Sequence, residues 1–102
     1  MGKRTQVNKF DIVGRVIFVG MPTFISERYS KRVLILEVYV ENKYKKEVEF
    51  TFSNDNMNLL DNIRKEDWVH VGFNLAGNKQ IQRDGKAKWW PTIEGTACQK
   101  VD

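Results

Sequence analysis

The sequence predicts an all-β domain, and three observations carry that prediction. Apolar and polar residues alternate in several separate stretches, which is the pattern of strands with one buried face. β-Branched and aromatic residues are enriched in these stretches, and turn-forming residues separate them. One short segment with helical spacing follows the third stretch. The order of three strands, a short helix and two strands is that of an OB-fold, a five-stranded, partly open barrel with a helix between strands three and four.

The first strand is predicted from Lys9 to Gly20. Its apolar face begins at Phe10 and ends at Phe18, so both phenylalanines are expected in the core. Gly14, in the middle of the strand, predicts a bend or bulge, the device by which one strand serves both halves of a small barrel. The stretch from Thr23 to Tyr29 is then expected to be a loop.

Strands two and three are predicted as a hairpin. Strand two runs from Lys31 to Glu41, and strand three from Glu47 to Phe52, with a short polar connection between them. The alternation places one apolar face of each strand in the core. The residues expected to point inward are Leu34, Leu36, Val38, Val40, Val48, Phe50 and Phe52.

The short helix follows a run of N-cap residues at 53–56 and is expected to span about ten residues. Four apolar residues fall on its predicted inner face: Met57, Leu59, Leu60 and Ile63. Strand four is predicted at 69–75, with Val69, Val71, Phe73 and Leu75 inward. A long, flexible, basic loop at 79–88, with a turn at Asp84-Gly85, then leads into strand five, from Lys88 to about Thr96.

Length and composition fit one small domain. The chain has 102 residues, of which 41% are hydrophobic and 29% charged, and its net charge is +4. We expect a flexible basic arm at 1–8 and a single OB-fold domain at 9–102. The one cysteine, Cys98, suits a reducing compartment. With no signal-peptide core or membrane-length apolar run, the cytoplasm of a bacterium, or of a phage-infected host, is the expected location.

Four short segments together resemble single-stranded DNA-binding proteins. These segments are Gly14-Arg15-Val16, Tyr44 to Phe50, Val71 to Leu75 and Gly85 to Trp90. The chain is most similar to the short, single-OB proteins of that kind from Bacteroidetes and their phages, the DUF3127-like group, over roughly residues 9 to 98. The resemblance implies an OB barrel, sequence-tolerant binding of single strands, and often self-association. Longer bacterial single-strand-binding proteins end in an acidic partner-recruiting tail, and recruitment of partners through such a tail is not expected here.

The basic residues are concentrated near the three loops that frame an OB binding face. Ten of the 17 lysines and arginines lie there, which suits a surface that follows the phosphates of a single strand. They are Arg28, Lys31 and Arg32 in the first loop, Lys43, Lys45 and Lys46 in the second, and Lys79, Arg83, Lys86 and Lys88 in the third.

Aromatic side chains near these loops are the candidates for stacking on unpaired bases. Trp90 and Tyr39 are predicted as the principal platforms, with Trp89 and Tyr44 as secondary ones. Trp90 falls on the same face of strand five as Thr92 and is expected on the outer surface. Trp89 falls on the same face of strand five as Ile93 and is expected in the core or at its rim.

No cofactor, metal or enzyme activity is predicted. The single histidine, His70, has no second ligand near it in sequence, and no nucleotide-binding or nucleophile motif is present. The predicted partner is single-stranded DNA, bound with little sequence preference by a homo-oligomer whose contact could use Val33 and Ile35. Two alternatives stay open: an OB-fold protein-interaction module that binds no nucleic acid, and a single-stranded RNA binder.

Overall fold

A computed structural model of the chain describes residues 7–101, so Lys3 and Arg4 of the predicted arm lie outside the described residues. At the end of that arm, the Asn8 side chain donates to the Leu75 carbonyl at 2.7 Å and accepts from the Leu75 N–H at 3.0 Å. The elements are β1 (Phe10–Val19), β2 (Thr23–Ser26), β3 (Tyr29–Val40), β4 (Tyr44–Ser53), a 3-10 helix (Asn54–Leu60), β5 (Trp68–Ile81) and β6 (Ala87–Lys100).

Five of the strands close into a barrel. β1 pairs antiparallel with both β3 and β5, β3 pairs with β4, and β5 pairs with β6. One parallel bridge, between Thr51 of β4 and Glu94 of β6, completes the ring. The predicted OB-fold is therefore confirmed. The predicted loop at 23–29 is wrong in one respect, because it contains β2, which forms a hairpin with β3.

The core fills the barrel with aliphatic and aromatic side chains. Its buried members are Val16, Leu34, Leu36, Val38, Phe50, Phe52, Leu60, Ile63, Val69 and Val71. Val48 and Phe73 pack against them, as predicted. Val40 and Leu75 were expected inward and are instead exposed, since each lies where its strand has run past the barrel.

Two phenylalanines predicted for the core lie at the surface. The Phe10 side chain is 44% exposed and stacks on the partly buried Phe73, with ring centroids 5.7 Å apart. Phe18 is 50% exposed because a bulge between Val16 and Phe18 shifts the register of β1 against β3. After a bulge the inward and outward positions exchange. Val19 therefore packs against the core in place of Phe18.

Two glycines permit close approaches that close the barrel. A Cβ at Gly14 would lie 2.9 Å from both the Glu37 carbonyl oxygen and Val38 Cγ1, where β1 bridges β3 and β5. The irregularity predicted for the middle of β1 is a bulge between Val16 and Phe18, not at Gly14 itself. A Cβ at Gly95 would lie 2.2 Å from the ring of the fully buried Phe52. Side chains are thus excluded at both places by the packing of the barrel.

The helix is shorter than predicted and is of the 3-10 type. With three residues per turn, residues three apart lie on one face. Met57 and Leu60 have that spacing, and Leu60 is buried; Ile63, which follows the end of the helix, is also buried. Leu59 lies off this face and is exposed, so its predicted inward position is wrong.

β5 and β6 are much longer than predicted. Fourteen residues of strand span about 46 Å, close to the longest dimension of the protein, 47 Å. The radius of gyration is 15.8 Å, larger than the roughly 13 Å of a compact domain of this size. The two strands therefore project from the barrel as an arm.

Candidate nucleic-acid interface

The projecting arm is a two-stranded antiparallel hairpin, which we call the ribbon and define as residues 76–92. The predicted long loop is wrong, because pairing continues from Ala76 opposite Thr92 to Ile81 opposite Ala87. The predicted turn at Asp84-Gly85 is confirmed: Gly85 has a φ of 83°, and its N–H donates to the Gln82 carbonyl at 2.9 Å. Lys79 and Lys88 consequently lie on a regular strand pair, one on each face, and Arg83 and Lys86 lie in the turn that joins the strands.

Each face of the ribbon carries a tryptophan beside a lysine. On the outer face, Lys88 Nζ lies 5.2 Å from the centroid of the Trp90 ring. On the opposite face, Lys79 Nζ lies 5.3 Å from the centroid of Trp89. Trp89 is 62% exposed and Trp90 39% exposed, so the expected core or rim position of Trp89 is wrong. Trp89 lies on the face of β6 that points inward within the barrel, but at position 89 the strand is already outside the barrel.

A groove of about 500 Å³ opens where the ribbon leaves the barrel. β6 bridges β4 only at Thr51 and Glu94, so the two strand edges diverge beyond that point. The groove lies across β3, β4 and the base of the ribbon. Its lining residues are Tyr29, Lys31, Glu49, Thr51, Asn78, Pro91, Thr92, Ile93 and Glu94.

The outer face of the ribbon leads directly into this groove. Asn78 and Thr92 line the groove, and the Asn78 amide donates to the Thr92 hydroxyl across the two strands. Asn78 is also the cross-strand partner of Trp90. Residues paired across antiparallel strands share a face. Trp90 and Lys88 therefore continue the groove along the ribbon, whereas Trp89 and Lys79 face the other way.

Nine of the ten predicted cations make no ion pair with the described residues. The exception is Arg32, whose Nε donates to the Gly20 carbonyl at 2.7 Å and whose Nη1 lies 3.1 Å from Asp61 Oδ1. Those contacts tie β3 to the end of β1 and to the 3-10 helix. The nine without such a pair are Arg28, Lys31, Lys43, Lys45, Lys46, Lys79, Arg83, Lys86 and Lys88.

The structure divides the predicted site into two parts. Lys31 lies in the groove, but Tyr39, on the same strand, is eight residues further on, or about 26 Å by strand geometry. Tyr39 pairs with Lys45 beside a tight turn in which Glu41 and Asn42 have positive φ. That end of the sheet also carries Lys43, Tyr44 and Lys46. The second part is thus separated from the groove by the length of the β3–β4 hairpin.

Carboxylates occupy the outer surface between these two parts. Glu37 and Glu47 are directly paired across β3 and β4, and Glu49 is two residues further along β4. Glu37 is held by Arg15, with Nη2 and Oε1 3.3 Å apart. Because carboxylates repel phosphates, a nucleic-acid backbone that leaves the groove at Glu49 would not continue over Glu37 and Glu47.

Shifted pKa values occur away from the ribbon. The hydrogen bond to Glu37 and the charge of Glu66 raise the pKa of Arg15. A backbone N–H of Arg64, 2.9 Å from the carboxylate, lowers the pKa of Asp67, and Lys100 adds to the effect. Burial raises the pKa of the Cys98 thiol to about 11. Within residues 7–101 no three His, Cys, Asp or Glu side chains are grouped as metal ligands, and no helix is long and apolar enough to cross a membrane.

Comparison with known proteins places the chain in a family. The model of the DUF3127 family, described as a domain of unknown function, matches residues 11–98. The chain belongs to the DUF3127 family. The match begins in β1 and ends near the close of β6, so it spans both the barrel and the ribbon of this chain. No curated protein matches the chain.

Solved structures with a similar fold include two of the mitochondrial single-stranded DNA-binding protein Rim1 of S. cerevisiae. One has a TM-score of 0.69 and 18% identity, over 95% of this chain and 97% of that chain. The second, of selenomethionine-labelled protein, has a TM-score of 0.68 with the same identity and coverage. At this identity the likeness establishes the shared OB-fold.

Most of the groove was not predicted from the sequence. Lys31 was, but Glu49, Asn78 and Glu94 were not, because the groove depends on the single bridge between β4 and β6. Strands paired in parallel at one residue leave no local sequence pattern. The pairing of Asn78 with Trp90 would have pointed to the groove, but it can be predicted only once residues 79–88 are known to form a strand pair and not a loop.

Proposed function

We propose that this protein binds single-stranded DNA with little sequence preference, as a non-enzymatic component of DNA replication, recombination or repair. The observation that carries the proposal is the outer face of the ribbon, where Trp90 and Lys88 continue into the groove. An aromatic ring beside an ammonium group offers a base a stacking partner and its phosphate a counter-charge. The proposed setting is the cytoplasm of a bacterium or of a phage-infected host.

The distribution of unpaired cations supports the proposal. Arg83 and Lys86 lie at the ribbon turn, Lys31 lines the groove, and Arg28 directly precedes Tyr29, another groove residue. A strand running from the ribbon through the groove would meet cations at both ends and an aromatic ring between them. Tyr39 and Tyr44, with Lys43, Lys45 and Lys46, would contact only a longer strand that continues past the acidic strip.

The test is titration with oligo-dT, followed by intrinsic tryptophan fluorescence, for the wild type and two variants. Trp90→Ala is expected to weaken binding by about 1–3 kcal/mol, the usual value of one stacked base. Trp89→Ala is the matched control, because it removes the same ring beside the same kind of cation on the opposite face. Its effect is expected to be smaller.

Three results would change the proposal in different ways. A larger loss from Trp89→Ala would move the strand to the inner face of the ribbon. Equal affinity for all three proteins would remove the ribbon from the interface. No binding of oligo-dT by the wild type would overturn the proposal itself, and tighter binding of a matched RNA oligomer would make the protein an RNA binder.

A second candidate function is protein interaction without nucleic acid. It is favoured by the exposed apolar side chains beside and within β2, Met21 at 80% and Phe24 at 78% exposed. Apolar residues so exposed often mark a protein contact. Both candidate functions include self-association. The contact would use Met21 and Phe24, or the half-buried Val33 and Ile35 on the outer face of β3. Sedimentation with and without oligo-dT distinguishes a DNA-binding oligomer from a purely assembling module.

A further inference from the structure

We infer that the groove at the base of the ribbon is a base-selective subsite that prefers guanine within an otherwise sequence-tolerant footprint. This inference rests on the proposed function and deepens it. The volume of about 500 Å³ lies within the range of about 300–1,000 Å³ typical of pockets for small ligands. It therefore has room for one unstacked nucleotide.

The groove combines the groups that a nucleotide requires. Tyr29 offers a ring for the base, and the ring is held in place because the Ser53 hydroxyl donates to the Tyr29 hydroxyl at 3.3 Å. Lys31 offers an ammonium group for the phosphate. Pro91 of the ribbon and Ile93, two residues further along β6, supply an apolar wall. A nucleotide in the groove would thus have a stacking surface, a counter-charge and an apolar contact.

Two carboxylates distinguish this groove from a general phosphate-binding surface. Glu94 forms the β4–β6 bridge with Thr51, and Glu49 is two residues before Thr51 on the same face of β4. Strand geometry places the two Cα atoms about 8 Å apart. Within residues 7–101 neither carboxylate is ion-paired or accepts a side-chain hydrogen bond. Both are therefore available to accept hydrogen bonds from a ligand.

The chemistry of the bases then selects guanine. An ionised carboxylate only accepts hydrogen bonds, and it can accept two in parallel. Guanine presents two adjacent donors, N1–H and N2–H, on its Watson–Crick edge. Cytosine and adenine present a single exocyclic amine next to a ring acceptor, and thymine presents one N–H between two carbonyl oxygens that a carboxylate repels. The expected order of preference is guanine first and thymine last.

The experiment compares fluorescein-labelled oligo-dT of about 12 nucleotides, within the usual footprint of one OB-fold, with the same strand carrying one central dG. Fluorescence anisotropy is expected to show binding about fivefold tighter or more for the dG strand, the lower end of what a bidentate contact gives. Deoxyinosine at that position, which lacks the N2 amine, should lose the preference. 7-Deazaguanine, which keeps the Watson–Crick edge, should retain it.

Substitutions assign the preference to the groove. Glu94→Gln and Glu49→Gln are expected to lower the ratio of dG-strand to oligo-dT affinity. Because each removes a negative charge from the groove, oligo-dT itself should bind more tightly to both variants. Glu47→Gln is the matched control, because Glu47 lies on the same face of β4 but does not line the groove. It should keep the full preference.

The outcomes separate this inference from the proposed function. Equal affinity for the dG and oligo-dT strands would overturn the guanine subsite and leave single-strand binding intact. A preference that survives both groove substitutions would place it elsewhere and overturn the inference as well. Failure of every oligonucleotide to bind would overturn the proposed function and the inference that rests on it.

Discussion

Replacing Gly95 by alanine is expected to destabilise the protein through one defined contact. The added Cβ would lie 2.2–2.5 Å from three atoms of the Phe52 ring, well inside van der Waals contact. Phe52 is fully buried, so its ring can move away only by displacing other core residues. Overpacking of this kind costs about 1–3 kcal/mol. For a domain of this size the melting temperature should fall by about 4–8 °C for each kcal/mol lost.

Gly77→Ala is the matched control for this substitution. Gly77 lies on the partner strand within the ribbon, and a Cβ there would have no atom within 4 Å. Its melting temperature, followed by circular dichroism, should stay the same or rise slightly, because alanine restricts the unfolded chain. If the two variants have the same melting temperature, then β6 does not pack closely against Phe52 and the barrel is not closed at that point.

Two further predictions concern titratable groups. Cys98 should react with iodoacetamide at pH 8 at least about tenfold more slowly than an unstructured thiol, because only the thiolate is reactive and the pKa is raised from 9.0 to about 11; equal rates in native and urea-unfolded protein would contradict this. The lowered pKa of Asp67 means that its carboxylate stabilises the fold above its unfolded pKa, near 4, and that this contribution is lost as the pH falls through the lower, folded pKa. Asp67→Asn should therefore lower the melting temperature at pH 7 more than at pH 3, and an equal loss at both would show that the ionised form is not the stabilising one.

The barrel could be predicted from the sequence because its strands are marked by a local pattern, the alternation of apolar and polar residues. Alternation fixed the inner faces of β3 and β4, and Leu34, Leu36, Phe50 and Phe52 are all buried as expected. The prediction failed for Phe18 because a bulge exchanges the two faces of β1, and a bulge depends on the partner strand.

The ribbon and the groove were largely beyond the reach of the sequence. The polar residues at 78–80 favour a loop, yet they are held as a strand by cross-strand pairing with 88–90. Once that pairing is known, the exposure of Trp89 follows from the length of the strands. The groove requires one further fact, the Thr51–Glu94 bridge, which joins residues more than forty positions apart.

The salt dependence of oligo-dT binding tests the central claim most directly. If the ribbon cations hold phosphates, the logarithm of the association constant falls linearly with the logarithm of the salt concentration, by about 0.7 for each phosphate contacted. The Arg83→Gln, Lys86→Gln double variant should reduce that slope by about 1.4, whereas Lys65→Gln, after the 3-10 helix, should leave it unchanged. Affinity that does not fall between low and moderate salt, or a slope that the double variant does not alter, would contradict binding of single strands through the ribbon.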